Sequence, residues 1–423
     1  MNLPLASVLA FAAALFISVV SNINVGLLSI AFAYVVGVLL GGMKVGDIAA
    51  GFPSTLLITL VAVTLLFSQA KVNGTLDALT RRSVKLARGN LGLIPIIFFF
   101  ITALLSAGGA GNIAAVAIMA PIAMTAAGRV KINPFLMTIL VCCGAGAGTF
   151  SPLAPPGVIA KGILERSGIQ GLEWPMFINN FIAQSFIGIG GYLLFGGYKL
   201  FKRQAAPEGL DAVLGDSGKD GADGGMNWRQ WLTLAVIAGL VVSVSVYKMD
   251  PGMGAMIAAA VLTLARAANE EAAVKGIPWN IIIMVCGVTV LISILERKGG
   301  MDLFTTMLAR LATHDSVTGV VAFVTGLISV YSSSSGVVMP AFLPTIPSLI
   351  EKLGGGDAAA IASSMNVGTF LVDASPLSTL GALCIANADP SEDRKALFNK
   401  LLAWGLSMSV VGAVVCWFFF GVL

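Results

Sequence analysis

Long apolar runs separated by short polar patches make up most of this sequence. A helix needs about 20 apolar residues to cross a membrane. Runs of that kind cover residues 4–21, 25–42, 53–70, 132–165, 176–201, 229–248, 252–268, 278–296, 357–390 and 398–421. Helices satisfy their backbone hydrogen bonds internally, which lipid requires. The pattern therefore predicts an all-α polytopic membrane protein.

Two further apolar regions, 91–128 and 316–352, have polar centres rich in Gly or Ser. Their apolar arms hold about 15 residues each, which is short for a full crossing. We therefore predict two re-entrant helical hairpins. Their tips are expected at 106–112 and 332–336, because irregular backbone at membrane depth is tolerated only where protein or a water-filled cavity surrounds it.

Two of the long runs, 132–165 and 357–390, exceed one helix and hold Gly, Pro and Ser in their middles. We predict broken helices there. Their central sequences, GTFSPLAPP from Gly148 and GTFLVDASP from Gly368, share Gly, Thr, Phe, Ala and the last Pro. In this alignment Asp373 stands opposite Leu153.

Segment 202–226 has the composition of a flexible linker and separates two halves of the same layout, 1–201 and 227–423. In each half an amphipathic segment, 74–90 or 297–315, precedes the hairpin and is expected to lie in the membrane interface. A hairpin returns to its own side, so each half crosses five times and the second is inverted relative to the first. Inverted repeats with broken helices at the midplane are typical of secondary transporters.

Composition excludes several other classes of protein. Hydrophobic residues make up 57% of the chain and charged residues only 11%, whereas soluble domains carry about 25% charged residues. A soluble enzyme, a disordered regulator and a nucleic-acid binder are therefore excluded. Most of the 25 Lys and Arg residues fall on the linker side, which predicts a multi-pass protein of the cell (inner) membrane with a cytoplasmic linker and both termini outside.

The hairpin tips and the breaks are expected to meet near the midplane. A broken helix frees N–H groups that attract anions and carbonyls that, with side-chain oxygens, can cage a hard cation such as Na⁺. The expected substrate ligands are Gly111, Asn112, Thr149, Ser151, Ser334, Ser335, Thr369 and Ser375. The expected Na⁺ ligands are Ser106, Asn112, Gly144, Gly148, Ser333, Asn366, Gly368 and Asp373.

Asp373 is the one acidic residue within a break. Carboxylates inside membranes are costly and usually functional, so Asp373 could ligate a cation, carry a coupling proton or cap a half-helix. Structural roles stay open for the others, since Asn112 could bond between helices and Thr149 and Thr369 could bond to their own backbone. Asp373 has no acidic or histidine partner in the other midplane elements, which argues against an intramembrane enzyme.

The run from Ser106 to Pro121 and the break from Gly148 to Pro152 resemble MatC-type malonate/dicarboxylate carriers. These belong to the ion-transporter superfamily and are related to the divalent anion–sodium symporters. The resemblance implies an elevator mechanism, in which hairpins and broken helices move against a scaffold that is often dimeric. The symporters carry Ser-Asn-Thr at each tip, and here only Asn112 matches. The resemblance therefore favours a substrate smaller than four-carbon acids, namely malonate.

We thus expect cation-coupled uptake of a small dicarboxylate across the lipid bilayer, with a homodimer as a possible assembly. Na⁺ is the expected coupling ion, H⁺ is the alternative, and no other cofactor is expected. A proton-coupled transporter of another small organic or inorganic anion is the alternative within the same class. An anion channel is the alternative of a different class.

Overall fold

Helices account for the regular secondary structure of the described chain. The structure is a computed structural model that describes residues 2–21, 23–76, 78, 90–202, 226–247, 249–330, 333–389 and 391–422. Most of linker 202–226 and of the interfacial segment 74–90 lies outside these residues, so both remain predictions.

Nine helices of the first half are labelled α1 to α9 along the described residues. They are Leu3–Ser21 (α1), Val25–Tyr34 (α2), Val45–Ala49 (α3), Ser54–Val72 (α4), Leu93–Leu105 (α5), Gly111–Val130 (α6), Pro134–Gly148 (α7), Pro155–Arg166 (α8) and Glu173–Leu194 (α9). Those of the second half are Trp228–Val246 (α10), Pro251–Leu264 (α11), Glu270–Lys275 (α12), Trp279–Arg297 (α13), Gly300–Ala309 (α14), Val317–Ser329 (α15), Met339–Phe342 (α16), Ile346–Leu353 (α17), Ala358–Leu371 (α18), Thr379–Ala386 (α19) and Arg394–Trp417 (α20).

Six helical stretches in the described residues are long and apolar enough to cross a membrane. They are Ser54–Val72, Leu93–Val130, Glu173–Leu194, Trp279–Arg297, Ala358–Ala386 and Arg394–Gly421. Shorter apolar helices, among them α1, α7, α11 and α15, accompany them. An all-helical, multi-pass membrane protein is therefore confirmed, while the orientation of its ends stays a prediction.

The chain reverses at both predicted hairpin tips. In the first, α5 leads into a wide turn, Ser106–Ala110, where Gly109 and Gly111 have φ of +116° and +76°. Only glycine adopts such angles without strain. Both arms, α5 and α6, then pack against α7. The second hairpin turns through Ser334–Val338, and its first arm, α15, packs against α18.

Both broken helices are interrupted where the sequence predicts. The first stops at Gly148 and resumes at Pro155, whose fixed φ suits the first turn of a helix. The second passes through a short turn, Val372–Ala374, and resumes at Thr379. Each break therefore exposes the ends of two half-helices to the protein interior.

Helices of opposite halves pack closely in the remaining part of the bundle. In α2, a Cβ at Gly26 would collide with the backbone of Ile283 on α13, and in α11, a Cβ at Gly252 would collide with Thr59 on α4. Small residues allow such close approach between membrane helices. The two pairs, α2 with α13 and α4 with α11, stand at corresponding places of the predicted repeat, which remains a prediction.

The packing of the two halves can be tested with a pair of native cysteines. Cys142 of α7 and Cys384 of α19 place their Sγ atoms 4.0 Å apart. In a variant with Cys143, Cys286 and Cys416 replaced by Ala, we expect a lipophilic oxidant to join them. A protease site placed between residues 203 and 225 then separates the halves. They should migrate together without reductant and apart with it.

Cys384→Ala in the same background is the control, and its halves should separate under all conditions. Separate halves without reductant in the two-cysteine protein, despite complete reaction of both thiols, would contradict this packing.

Candidate substrate and cation site

A cavity of about 500 Å³ lies where the two hairpin tips and the second break converge. Asn112 of the first tip, the second tip and Asp373 of the break contribute its polar wall. The facing wall comes from α1 and α13, including Ser18, Asn280 and Met284. The cavity therefore lies between the hairpins and broken helices on one side and the other helices on the opposite side.

Asp373 provides the negative charge of this cavity. Its side chain is only 5% exposed. Its Oδ1 accepts hydrogen bonds from the hydroxyls of Ser334 at 2.8 Å and Ser378 at 3.4 Å. Ser329 extends the network, with its Oγ 2.7 Å from that of Ser334. The second hairpin tip is thus tied to the break through this carboxylate.

The cavity offers no positive side chain to balance Asp373. Among the residues that the structure describes, none of the ion pairs involves Asp373, and no Lys, Arg or His lines the cavity. A buried carboxylate without a cationic partner is costly in a low dielectric. The arrangement therefore suits a site that takes up a cation or a proton.

A second, more apolar cavity of about 550 Å³ adjoins the first. Asn112, Ile113, Ile281 and Ser335 line both. Lys71, in the last turn of α4, also lines the second cavity. Asn112 is 6% exposed and contributes to the walls of both cavities. Its amide is therefore placed to meet a ligand in either cavity.

The two breaks make the same contacts around the same number of residues. A Cβ at Gly144 would collide with the carbonyl of Phe99 in the first hairpin, and a Cβ at Gly368 with that of Ala322 in the second. Beyond each break, Gly157 packs in the same way on the carbonyl of Ser151.

Gly381 repeats this contact on the carbonyl of Ser375. The Oγ atoms of Ser151 and Ser375 each accept a hydrogen bond of 3.3 Å, from the N–H of Leu153 and of Leu377. Ser151 therefore corresponds to Ser375. Because Gly144 lies seven residues before Ser151 and Gly368 seven before Ser375, the two breaks have the same length.

This correspondence corrects the alignment made from the sequence. Leu153 matches Leu377, and Asp373 matches Thr149 of the first half. The match of GTFSPLAPP with GTFLVDASP is shifted by four residues from the pairing that the contacts give. Phe150 and Phe370 meet edge to face with ring centroids 5.1 Å apart. Asp373 thus occupies the position that an uncharged threonine has in the first half.

The predicted ligands fall into two groups in the structure. Those that line a cavity are Gly111, Asn112, Ser333, Ser334, Ser335 and Asp373. Those that lie behind the cavities are Ser106, Gly144, Gly148, Thr149, Ser151, Asn366, Gly368, Thr369 and Ser375. The structure therefore brings the hairpin tips to Asp373 but leaves much of the first break outside the cavity walls. Their roles as ligands remain predictions.

Several of the second group already have structural partners. Thr149 and Thr369 donate to the carbonyls of Ala145 and Met365 in their own helices, at 2.8 and 2.6 Å. Gly144 packs on the backbone of Phe99. Such bonds satisfy the O–H donors locally and leave both lone pairs of each oxygen for a further ligand.

Sequence reasoning left several cavity residues out of the site. Ser18 and Asn280 come from α1 and α13, outside the hairpins and breaks. Ser329, in an arm of the hairpin, bonds to Ser334. Asn280 stands two residues after Pro278, at the start of an apolar run. An isolated polar residue in such a run is the sequence signal that could have identified it as a site residue.

The glycines at the breaks give a prediction about stability. Gly148→Ala and Gly368→Ala should each lower the free energy of unfolding by about 1–3 kcal/mol, because the new methyl meets rigid backbone. Thermal unfolding in detergent measures the change. Gly190→Ala is the matched control, since nothing lies within 4 Å of a Cβ at this membrane-helix glycine. It should be neutral or slightly stabilising, and equal stability of all three variants would contradict the packing.

The chain is similar to known transport proteins in sequence and in fold. Residues 1–149 match the family model of the dicarboxylate carrier protein MatC N-terminus, and residues 248–423 match that of the citrate transporter. The YdaH transporter of Alcanivorax borkumensis has 14% sequence identity and a TM-score of 0.59, covering 89% of this chain and 87% of its own.

MtrF of Neisseria gonorrhoeae, described as illuminating a class of antimetabolite efflux pumps, has 13% identity and a TM-score of 0.60. The alignment covers 92% of this chain and 85% of MtrF. At these identities the two likenesses concern the fold. A search of curated proteins finds no match.

These findings confirm the resemblance drawn from the sequence. The family models make the chain a transport protein and not an enzyme. They also support a secondary transporter of small anions of the dicarboxylate or citrate type in a lipid bilayer.

Proposed function

We propose that this chain, a transport protein with a MatC-type N-terminal part and a citrate-transporter C-terminal part, carries a small dicarboxylate together with a cation. Malonate is the favoured substrate and uptake the favoured direction. Na⁺ is the favoured coupling ion, and H⁺ is the alternative. The protein would work by an elevator mechanism in the cell (inner) membrane, with a homodimer as the expected assembly.

The buried carboxylate of Asp373 on the cavity wall is the observation that carries this proposal. A dicarboxylate in the same cavity would place three negative groups together with no Lys, Arg or His in the described lining. Like charges repel strongly in a low dielectric. A cation or proton bound at the same time offsets that repulsion, which makes substrate binding depend on the coupling ion.

The cavity also supplies neutral donors for carboxylate oxygens. The hydroxyls of Ser333 and Ser335, the amide of Asn112 and the first N–H groups of α19 lie along one wall. Helix N-termini and neutral donors attract anions without a salt bridge. Such a site can release its substrate, which a transporter requires.

The division of the cavity walls supports the elevator. Its polar wall comes from the hairpins and the second break, and the facing wall comes from α1 and α13. Movement of the first group against the second would carry the site across the membrane. In the predicted topology both cavities open toward the cytoplasm, because Lys71 ends α4 and Asn280 begins α13 on the linker side.

An anion channel is the alternative of a different class. It would show fluxes that neither saturate nor follow a second ion. Another small organic or inorganic anion carried with protons is the alternative within the class.

Uptake of radiolabelled malonate into proteoliposomes tests the proposal. We expect saturable uptake with an inward Na⁺ gradient and little uptake when K⁺ replaces Na⁺. Uptake driven by a pH gradient alone would identify H⁺ as the coupling ion. Linear, ion-independent flux would identify a channel. Uptake of succinate or citrate but not malonate would reject malonate while keeping the class.

Asp373→Asn tests the residue itself. It keeps the shape and the contacts with Ser334 and Ser378 but removes the charge. We expect gradient-driven uptake to fall about tenfold or more, or ~1.4 kcal/mol in the transport step, with unchanged elution in detergent. Asp357→Asn is the matched control, since Asn also caps a helix N-terminus well and Asp357 is the exposed cap of α18. Normal coupled uptake by Asp373→Asn would remove the residue from the mechanism.

A further inference from the structure

A cluster of buried amides lies where α9 crosses the two broken helices. Asn180 and Gln184 are one turn apart on α9, and Asn366 projects from α18. Their side chains are 0%, 1% and 0% exposed. None of the three lines either of the two large cavities, so the cluster is separate from the candidate substrate site.

Half of the bonding capacity of these amides is unused. The Nδ2 of Asn180 donates to the carbonyl of Gly146 at 2.7 Å, and the Nδ2 of Asn366 contacts the Sδ of Met176 at 3.3 Å. The Oδ1 atoms of both asparagines and the Nε2 of Gln184 have no hydrogen-bond partner among the described residues. Met176, Asn180 and Gln184 are successive i, i+4 positions, so the two amides of α9 share one face with Met176, which contacts Asn366 of α18.

Buried polar atoms without partners are expensive, and more so inside a membrane, where water cannot reach them. Native proteins usually explain such atoms by a bound water or ion. Here two of the free atoms are carbonyl-type oxygens, which are hard ligands suited to Na⁺. Rotation of the Gln184 carboxamide by half a turn presents a third oxygen at the place of its Nε2.

Close packing keeps the third amide in position. A Cβ at Gly146 would lie 2.7 Å from Cδ of Gln184, so glycine lets the side chain lie directly over the α7 backbone. The neighbouring Asn179, by contrast, has its amide satisfied by the Oγ of Ser363 at 3.0 Å. The unsatisfied amides of α9 therefore lie on its face between α7 and α18.

We propose that Asn180, Asn366 and Gln184 form a Na⁺ site outside the substrate cavity, at the crossing of α9 with both broken helices. This inference rests on the proposed cation coupling and adds a place for one coupling ion. A cation there would tie α9 of the first half to α18 of the second. Substrate in the cavity would not contact it, so the two would be coupled through the positions of the breaks.

Binding of ²²Na⁺ to the purified full-length protein without substrate tests the site. Asn180→Leu and Asn366→Leu should each weaken Na⁺ binding about tenfold or more, equal to ~1.4 kcal/mol. Asn179→Leu, the matched control on the same helix, should bind Na⁺ normally. Unchanged binding in Asn180→Leu and Asn366→Leu would overturn the proposal, and so would equal loss in all three variants.

Thermal unfolding separates a Na⁺ site from a structural hydrogen-bond network. The amide of Asn366 has only the sulfur of Met176 as partner, so its replacement by a leucine of similar size should be neutral or stabilising. In choline buffer Asn366→Leu should therefore unfold at or above the temperature of the unmodified protein. Added Na⁺ should stabilise the unmodified protein by mass action and leave Asn366→Leu unchanged. Lower stability of Asn366→Leu in choline would indicate a structural role and overturn the proposal.

The outcomes also distinguish this site from the proposed function. If malonate uptake follows the Na⁺ gradient while both leucine variants bind Na⁺ normally, only the site is wrong. If the unmodified protein binds no ²²Na⁺ and uptake follows a pH gradient, the site is wrong and H⁺ is the coupling ion. If Na⁺ binds through this cluster but no dicarboxylate is carried, the substrate is wrong and the site stands.

Discussion

Inside a membrane, every backbone group released by an interrupted helix needs a partner within the protein. The fold meets this requirement by pressing each break against a hairpin of the same half. Gly148 and Gly368 bring the two broken helices onto the carbonyls of Ala103 and Ala322. Seryl hydroxyls then accept from the backbone N–H groups that follow each break. As a result, each hairpin tip is held beside the break of its own half. The cavity forms where the two tips and the second break come together.

Within that frame a single carboxylate sets the electrostatics. Asp373 is held by two hydroxyls, from Ser334 of the hairpin and Ser378 of the break. Neither hydroxyl carries charge, so the negative charge of the cavity stays uncompensated by the described residues around it. The buried amides of α9 also have an oxygen atom without a compensating partner, although it carries only a partial negative charge. Such an oxygen also favours a cation. Both features point toward positive ions, in a protein whose relatives carry negative ones.

Much of the fold could be predicted from the sequence. The lengths of the apolar runs reflect the thickness of the bilayer, and stretches rich in glycine or serine mark where helices are interrupted. The hairpin tips and the breaks were located within a few residues, and Asp373 was identified as the exceptional charge. The alignment of the two breaks was wrong, since the short motif Gly-Thr-Phe occurs in both halves at positions that differ by four residues in the structure. The cavity walls from α1 and α13 and the amides of α9 could not be predicted, because they depend on which helix faces cross.

The unequal chemistry of the two breaks has a further consequence. Two inverted halves of equal sequence would exchange roles when the proposed carrier reoriented, and its two end states would have the same energy. A carboxylate at Asp373 in place of the hydroxyl at Thr149 belongs to one half only. It removes that degeneracy, so one orientation becomes the ground state. The same side chain that supplies the charge would thereby also set the direction in which the empty carrier rests.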